Sequence, residues 1–292
     1  MRLMEQLYGL TIWVWYWRDE YIEVAKRVGA RNLLIKAADG VDRYGSWLQW
    51  GPGSQKCIEA GITPIPWAYN YGNAAEPKVL RDAAPNSKIL ILDLEIEYEK
   101  LDKASQEAFN HESQALRDQG YTVGAACWAR PEYHQGYNFK DLGYSIDFWM
   151  PMVVYNWWNP PDYNYWFDWW DKFQLGKTIP WLPVYKDDAG NPIDSGTLIG
   201  SIREGLKRYR GVSLWAAHLL REEQIVALEA VKGEWIEEPE PTMPDSKQLT
   251  IDAFNGIWHY LNQIDTEADE IKQALTLIRD RVVTLKTLNG VT

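Results

Sequence analysis

Between residues 9 and 235, eight short apolar segments alternate with helical segments, and this rhythm constrains the fold more than any other feature of the chain. Each apolar segment has the length and the β-branched or aromatic content of a buried strand. The eight predicted strands are 10–17, 32–37, 63–70, 88–95, 122–129, 147–155, 179–185 and 212–216. The clearest predicted helices are 19–28, 55–60, 78–84, 103–119, 195–209 and 222–232.

Strands that alternate with helices form a parallel sheet, which is either closed as a barrel or open and doubly wound. Eight such units in ~235 residues match a (β/α)8 barrel, which typically takes about 250 residues. A doubly wound sheet would require a glycine-rich phosphate loop after the first strand, and the segment WYWR at that place is not one. The sequence therefore predicts an α/β protein with a (β/α)8 TIM barrel over residues 1–235.

The sequence changes character after Trp235. Residues 236–247 include an acidic, proline-rich stretch, EEPEPTMP, that is typical of a linker. Beyond it, apolar residues recur at steps of three and four, with leucine-rich and isoleucine-rich positions that favour three or four helices over two. One long amphipathic helix packed on the barrel is the alternative, but the narrow seam favours self-association. Residues 248–292 are predicted to form a parallel coiled coil, with a homo-oligomer (trimer or tetramer) assembled through 254–285.

The segment ILDLEIEY places Asp93, Glu95 and Glu97 at alternate positions of the fourth predicted strand, where alternate residues share one face. Isolated buried charges are costly, so these acids belong either at a solvated sheet edge or on a face that opens into a cleft. The fully apolar flanks favour the cleft, which in a barrel is the C-terminal mouth. Mutual repulsion there predicts at least one raised pKa. A protonated carboxyl beside an ionised one is what glycosidic-bond cleavage requires.

Composition narrows the range of partners. The chain has 17 Trp and 17 Tyr among its 292 residues, and flat sugar faces stack on such rings. A net charge of −11 argues against nucleic acid and against an anionic membrane surface. Cys57 and Cys127 are predicted to be free buried thiols, and no metal or cofactor motif occurs. No signal-peptide pattern and no long apolar run occur, so we expect a protein made in the cytoplasm without a membrane span.

Two motifs resemble glycoside hydrolase family 25, the lysozyme-type muramidases. LIKAADG, which contains Asp39, is similar to that family's second-strand IKATEG element, and LDLE is similar to its fourth-strand D-x-E pair. The segment that ends at Tyr69 falls where that family has a third strand ending in an aromatic residue. The resemblance implies that Glu95 is the general acid and Asp93 its partner. The family's first-strand Asp, in a G-x-D-x-S context, is replaced here by Thr11.

A second resemblance is to the family 18 chitinases. DLEIEY is similar to the D-x-D-x-E-Y end of their fourth-strand motif, and MPMVVY is similar to their sixth-strand M-x-Y. This alignment implies that Glu97 is the acid, that Glu95 supports it and that Tyr155 steadies the reacting sugar. Both families share the barrel and cleave polymers of N-acetylated sugars, with the substrate's own acetamide as the nucleophile.

Further candidates for sugar binding lie on or just after the predicted strands, toward the mouth. The full set of predicted substrate-binding residues is Tyr155, Trp157, Trp215, Tyr69, Asp39 and Trp13. A second aromatic cluster has helical spacing and is predicted to pack against the barrel wall instead; its members are Trp166, Trp169 and Trp170.

Together these features predict a glycoside hydrolase that cleaves bacterial cell-wall or surface polysaccharide containing N-acetylated sugars. The oligomeric stalk and the absence of a signal-peptide pattern predict a phage or prophage protein, virion-associated or released to act on the host wall. The alternative is a catalytically inactive barrel that binds glycans or serves as a structural tail protein. The replaced first-strand carboxylate at Thr11 favours the alternative, whereas the acidic triple favours the enzyme.

Overall fold

The computed structural model describes residues 6–43, 47–129, 133–153, 163–172, 177–186 and 192–236. Within these residues, a closed barrel of eight parallel strands is surrounded by helices. The predicted (β/α)8 barrel is therefore confirmed. The predicted coiled coil at 248–292, its seam at 254–285 and the predicted linker beyond Ile236 lie outside the described residues.

The strands of the described chain follow the predicted rhythm closely. They are β1 (Gly9–Val14), β2 (Ala30–Asp39), β3 (Asp42–Arg43), β4 (Thr63–Asn70), β5 (Ile89–Leu94), β6 (Thr122–Trp128), β7 (Phe148–Met152), β8 (Trp181–Pro183) and β9 (Gly211–Trp215). The barrel order is β1-β2-β4-β5-β6-β7-β8-β9, and β9 pairs in parallel with β1 to close it. The short β3, which was not predicted, forms an antiparallel hairpin with the end of β2.

The helices lie between the barrel strands and cover the outer face of the sheet. They are α1 (Glu20–Val28), α2 (Trp47–Glu59), α3 (Glu76–Ala83), α4 (Ile96–Glu99), α5 (Lys103–Asp118), α6 (Phe139–Ser145), α7 (Tyr163–Asp171), α8 (Ser195–Tyr209), α9 (Glu222–Val231) and α10 (Gly233–Ile236). The predicted aromatic helix is α7, in which Trp170 is buried, donates to Thr178 Oγ1 at 2.9 Å and contacts the Trp149 ring. Cys57 and Cys127 are free and buried, as predicted.

Alternation along the strands divides the apolar side chains between two cores. On β5, Leu90 and Leu92 face the helices, whereas Ile89 and Ile91 face the barrel interior. Because both faces are covered, the strand is apolar at nearly every position. Asp93 continues the inward series, so its carboxyl lies inside the barrel at the end of β5 that forms the mouth.

Helix α2 begins well before its predicted start because it tolerates a Gly-Pro-Gly segment in its middle. Pro52 lies inside the helix, and the hydroxyl of Ser54, which follows the Gly-Pro-Gly segment, donates to the Gly51 carbonyl at 3.0 Å. A Cβ atom on Gly53 would lie 2.9 Å from the Trp17 ring, so only glycine permits this close approach of α2 to the loop after β1. Among the described residues, no helix has the length and apolar character needed to cross a membrane.

Candidate active site

The strand that carries the acids ends earlier than predicted. β5 ends at Leu94, Glu95 follows with φ −117° and ψ −146°, and Glu97 lies in the one-turn helix α4. The neighbouring strands set this boundary, because β4 pairs with β5 as far as Leu94 and β6 only as far as Asp93. Beyond that point the backbone groups form local hydrogen bonds with one another. The Glu99 N–H, for example, donates to the Glu95 carbonyl at 3.3 Å. The prediction that all three acids share one strand face is therefore wrong.

The three carboxyls nevertheless form one electrostatic cluster. Asp93 is 2% exposed, and its Oδ1 has no hydrogen-bond partner among the described residues. Burial and then the charge of Glu95 raise the pKa of Asp93 well above its ordinary value, and Lys36 opposes this rise. Burial and then the charge of Glu97 raise the pKa of Glu95 to about 6. Asp93 and Glu95 thus titrate as a pair that retains a proton into the near-neutral range, in agreement with the predicted raised pKa.

A row of side chains crosses the mouth from β2 to β5. Asp39 pairs in register with Tyr69, and Tyr69 pairs in register with Asp93, so the three residues lie side by side on neighbouring strands. The Tyr69 hydroxyl donates to Glu97 Oε2 at 2.8 Å, which links the row to α4. At the other end of the row, the Tyr71 hydroxyl donates to Asp39 Oδ1 at 3.2 Å.

Lys36 lies beneath this row and is fully buried. Its ammonium donates to Asp39 Oδ2 at 3.2 Å and lies 3.7 Å from the centroid of the Trp15 ring. Lys36 was not predicted as a site residue. The signal was present, because one lysine interrupts the otherwise apolar run LLIKAA, and a buried charge in a strand requires a partner.

Four tryptophans form the wall and floor of the mouth. The Trp13 ring lies 5.1 Å from that of Trp67 and 5.4 Å from that of Trp215, and Trp15 lies 5.3 Å from Trp67 and 5.6 Å from Trp215, all in edge-to-face geometry. Trp13 is fully buried and therefore forms the floor, whereas Trp15 and Trp215 are half-buried. Trp15 and Trp67 were not predicted as site residues, although aromatic residues at alternate positions 13 and 15 were visible in the sequence.

A further cluster flanks α4 on the side of β6. The His134 ring stacks on Trp128 with centroids 5.0 Å apart, and its Nδ1 lies 2.8 Å from Glu99 Oε2. Gln106 of α5 donates to the carbonyls of Tyr98 at 3.1 Å and of Gly136 at 2.7 Å. These contacts attach the one-turn helix that carries Glu97 to the loop after β6, and they hold it in place from outside the barrel.

The structure brings most of the predicted site residues to one mouth. Those it places there are Asp93, Glu95, Glu97, Tyr69, Asp39, Trp13 and Trp215. Tyr155 and Trp157 lie outside the described residues. Thr11, at the place of the muramidase Asp, is buried, and its Oγ1 accepts from Asn32 Nδ2 at 3.0 Å. In the part of the chain that the structure describes, no group of Asp, Glu, His or Cys side chains is arranged to hold a metal ion.

Replacing Glu95 by glutamine is expected to stabilise the fold above pH 6. Because the pKa of Glu95 is raised from 4.5 to about 6, its contribution to stability is present below pH 4.5 and is lost as the pH rises through about 6. The unfolding free energy of Glu95→Gln minus that of wild type should therefore rise by about 2 kcal/mol from pH 4 to pH 8. Urea unfolding at both pH values measures this difference. Glu107→Gln, on the exposed face of α5, is the control and should show no such pH-dependent gain.

No protein-family model matches the chain, and no curated protein matches its sequence. Solved structures do match its fold. The catalytic domain of a hyperthermophilic chitinase from Pyrococcus furiosus is 11% identical, with a TM-score of 0.57 over 80% of this chain and 97% of that one. A family 18 chitinase from Flavobacterium johnsoniae is 10% identical, with a TM-score of 0.56 over 78% of this chain and 94% of that one.

A third similar structure is the spore cortex-lytic enzyme SleL from Bacillus megaterium, at 11% identity, with a TM-score of 0.54 over 76% of this chain and 73% of that one. Identities this low establish a shared barrel fold and nothing finer. Of the two families that the sequence resembles, the chitinases of family 18 are the one represented among these structures.

Proposed function

We propose that this barrel is a glycoside hydrolase that cleaves a polysaccharide or peptidoglycan containing N-acetylated sugars, with Glu97 as the proton donor. The observation that carries the proposal is the coupled carboxyl cluster at the C-terminal mouth. Burial and the charge of a neighbouring glutamate raise the pKa of Asp93 and that of Glu95, and Glu97 adjoins both on α4. Perturbed carboxyls at this end of a barrel are typical of catalytic sites. The similarity in fold to chitinases is consistent with the same substrate class.

The proposed reaction assigns one step to each carboxyl. Glu97 transfers its proton to the glycosidic oxygen as the bond from that oxygen to the anomeric carbon breaks. The acetamide oxygen of the substrate attacks the anomeric carbon, while Glu95 accepts a hydrogen bond from the acetamide N–H. Water then opens the cyclic intermediate, and Glu97 takes up the proton of that water. The Tyr69 hydroxyl, 2.8 Å from Glu97 Oε2, orients the donor.

A second assignment of the acid follows from the muramidase resemblance. In that assignment Glu95 is the proton donor and Asp93 its partner. The observation that favours it is the pKa of Glu95, raised to about 6, which leaves a large protonated fraction at mildly acidic pH. The two assignments differ in which glutamate is indispensable, and the variants described in the Discussion separate them.

The alternative function is a glycan-binding barrel without catalysis. Thr11 replaces a carboxylate of the muramidase motif and is satisfied within the barrel by Asn32, so it supplies no acid. The half-buried Trp15 and Trp215 at the mouth would serve binding equally well. This alternative predicts retention on an insoluble glycan without any bond cleavage.

Assay of new reducing ends tests the proposal. The purified protein, residues 1–292, is incubated with peptidoglycan, chitin oligomers and a panel of capsular polysaccharides. We expect new reducing ends from at least one N-acetylated polymer, formed about a hundredfold or more slowly in reactions with Glu97→Gln. Binding to a polymer without new reducing ends from any member of the panel would establish the binding function instead.

The coiled coil extends the proposal to the assembled protein. We propose that 254–285 joins three or four chains in parallel, so that several barrels reach one polysaccharide from a single stalk. Linked sites raise the overall affinity far above that of one site. Such an arrangement suits a phage or prophage protein that acts on a host surface.

A further inference from the structure

Lys36 lies at the centre of the site, yet no step of the proposed reaction uses it. It is the only basic side chain among the described residues that is fully buried. Beyond its contacts with Asp39 and Trp15, its ammonium lies 5.2 Å from the centroid of the Trp67 ring and 5.8 Å from that of Tyr69. Burying an ammonium is costly even when carboxylates and rings compensate it, and an apolar side chain would fill the same space without that cost.

The strand register places Lys36 one interior layer below the acids. Lys36 pairs with Trp67 on β4, whereas Asp39 pairs with Tyr69, which in turn pairs with Asp93 on β5. From this position the charges of Lys36 and Asp93 act on each other. Burial lowers the pKa of Lys36, and Asp39 and then Asp93 oppose that lowering. In return, Lys36 opposes the rise in the pKa of Asp93.

The other ionisable groups near Asp93 carry negative charge or none. They are Glu95, Glu97, Tyr69, Tyr137 and Cys127. The two glutamates repel a charge on Asp93. Burial raises the pKa values of Tyr69, Tyr137 and Cys127 above their ordinary values, so all three are neutral at neutral pH. Among the described groups that act on Asp93, Lys36 therefore supplies the positive charge.

We propose that Lys36 is a positioning residue of the acid cluster, whose buried ammonium offsets part of the negative charge that Asp93 and the neighbouring glutamates bring to the mouth. Asp39 and the Trp15 ring hold the ammonium in place, and the Tyr71 hydroxyl holds Asp39. Without this cation, the cluster holds its protons to a higher pH, because Lys36 is the group that opposes the rise in the pKa of Asp93. The inference rests on the proposed function for its effect on hydrolysis, but the charge distribution itself is measurable without any substrate.

Thermal unfolding of the full chain at pH 5 and pH 8 tests whether the Lys36 ammonium affects the ionisation of the acid cluster. A group whose folded-state pKa is raised loses its stabilising contribution as the pH rises through that pKa. Lys36→Met raises the pKa values of the pair further, so its melting-temperature deficit relative to wild type should be several degrees larger at pH 8 than at pH 5. Lys36→Gln is measured alongside and provides the same comparison if the methionine variant does not fold.

Asp39→Asn is the matched control, because it removes one partner of the ammonium while the Trp15 ring still holds the cation beneath the acids. Its deficit should be the same at both pH values. A second readout uses whichever N-acetylated polymer the enzyme cleaves: Lys36→Met should move the alkaline limb of the kcat/KM profile upward by about one pH unit or more. Lys36→Arg, which keeps the charge, should restore the wild-type limb.

The outcomes separate this inference from the proposed function. A deficit of Lys36→Met that is equal at pH 5 and pH 8 overturns the inference and makes Lys36 a packing residue. If the deficit grows with pH but no polymer is cleaved, the positioning role stands and the proposed function fails. If a polymer is cleaved and the deficit does not change with pH, the proposed function stands and the positioning role fails.

Discussion

Replacing Glu97 by glutamine is expected to lower kcat on an N-acetylated polymer by about a hundredfold or more, the usual cost of removing a general acid. Glutamine has nearly the same shape, and its amide oxygen still accepts the hydrogen bond from Tyr69, but it has no acidic proton to donate. KM should change little, because the substitution removes proton transfer rather than sugar contacts. Reducing-end kinetics on the purified variant measure the effect.

Two further variants show whether the effect of Glu97→Gln is specific to the proton donor. Glu95→Gln should also lower kcat, and it should abolish the ionisation near pH 6 in the pH–rate profile, because that ionisation belongs to the Asp93–Glu95 pair. Glu107→Gln on α5 removes an exposed carboxyl that is not part of the cluster and should retain full activity. Full activity in both Glu95→Gln and Glu97→Gln would disprove the catalytic assignment. A loss confined to Glu95→Gln would transfer the donor role to Glu95.

The intact chain is expected to be a trimer or tetramer, and Ile264→Lys combined with Ile271→Lys is expected to release monomers. Both isoleucines occupy the same heptad position of the predicted seam, where two buried ammonium groups per chain have no partner. The barrels should stay folded, because the predicted seam lies beyond their last helix. Apparent affinity for a long polymer should fall by about a hundredfold or more, while cleavage of short oligomers is unchanged.

Light scattering measures the number of chains in the assembly, and circular dichroism measures whether the barrels stay folded. The matched control is Gln263→Lys combined with Thr266→Lys, which adds the same charge at heptad positions outside the seam and should leave the oligomer intact. A monomeric mass for the unmodified chain would contradict the coiled coil. It would favour instead a single amphipathic helix that packs against its own barrel.

The sequence predicted the barrel because apolar periodicity is a local signal. All eight barrel strands lie within their predicted segments or overlap them, and β4 has the predicted bounds, Thr63–Asn70. Strand ends were predicted less well, because they depend on where neighbouring strands stop pairing. Nothing within ILDLEIEY shows that β6 pairs with β5 only as far as Asp93. Because the strand loses this partner, the chain leaves the sheet and forms α4.

The acids of the site were predicted from the sequence, but most of the residues that surround them were not. Asp93 and Glu95 were recognisable because charged residues are rare in apolar strands. Lys36 carried the same signal. Its contacts could not be predicted, however, because an irregularity in the pairing of β2 with β4 between Lys36 and Ala38 shifts the inward-facing positions, and periodicity does not reveal such a shift. The contacts among Trp15, Trp67 and Trp215 likewise arise only when the barrel closes.

We propose that this mouth cleaves N-acetylated glycans with the substrate's own acetamide as the nucleophile. The most direct measurement compares two samples of one polymer, fully N-acetylated and chemically de-N-acetylated, with wild type and Glu97→Gln. New reducing ends should form only from the acetylated sample, and about a hundredfold or more slowly with Glu97→Gln than with wild type. Equal cleavage of both samples by wild type, or equal cleavage by wild type and Glu97→Gln, would contradict the account.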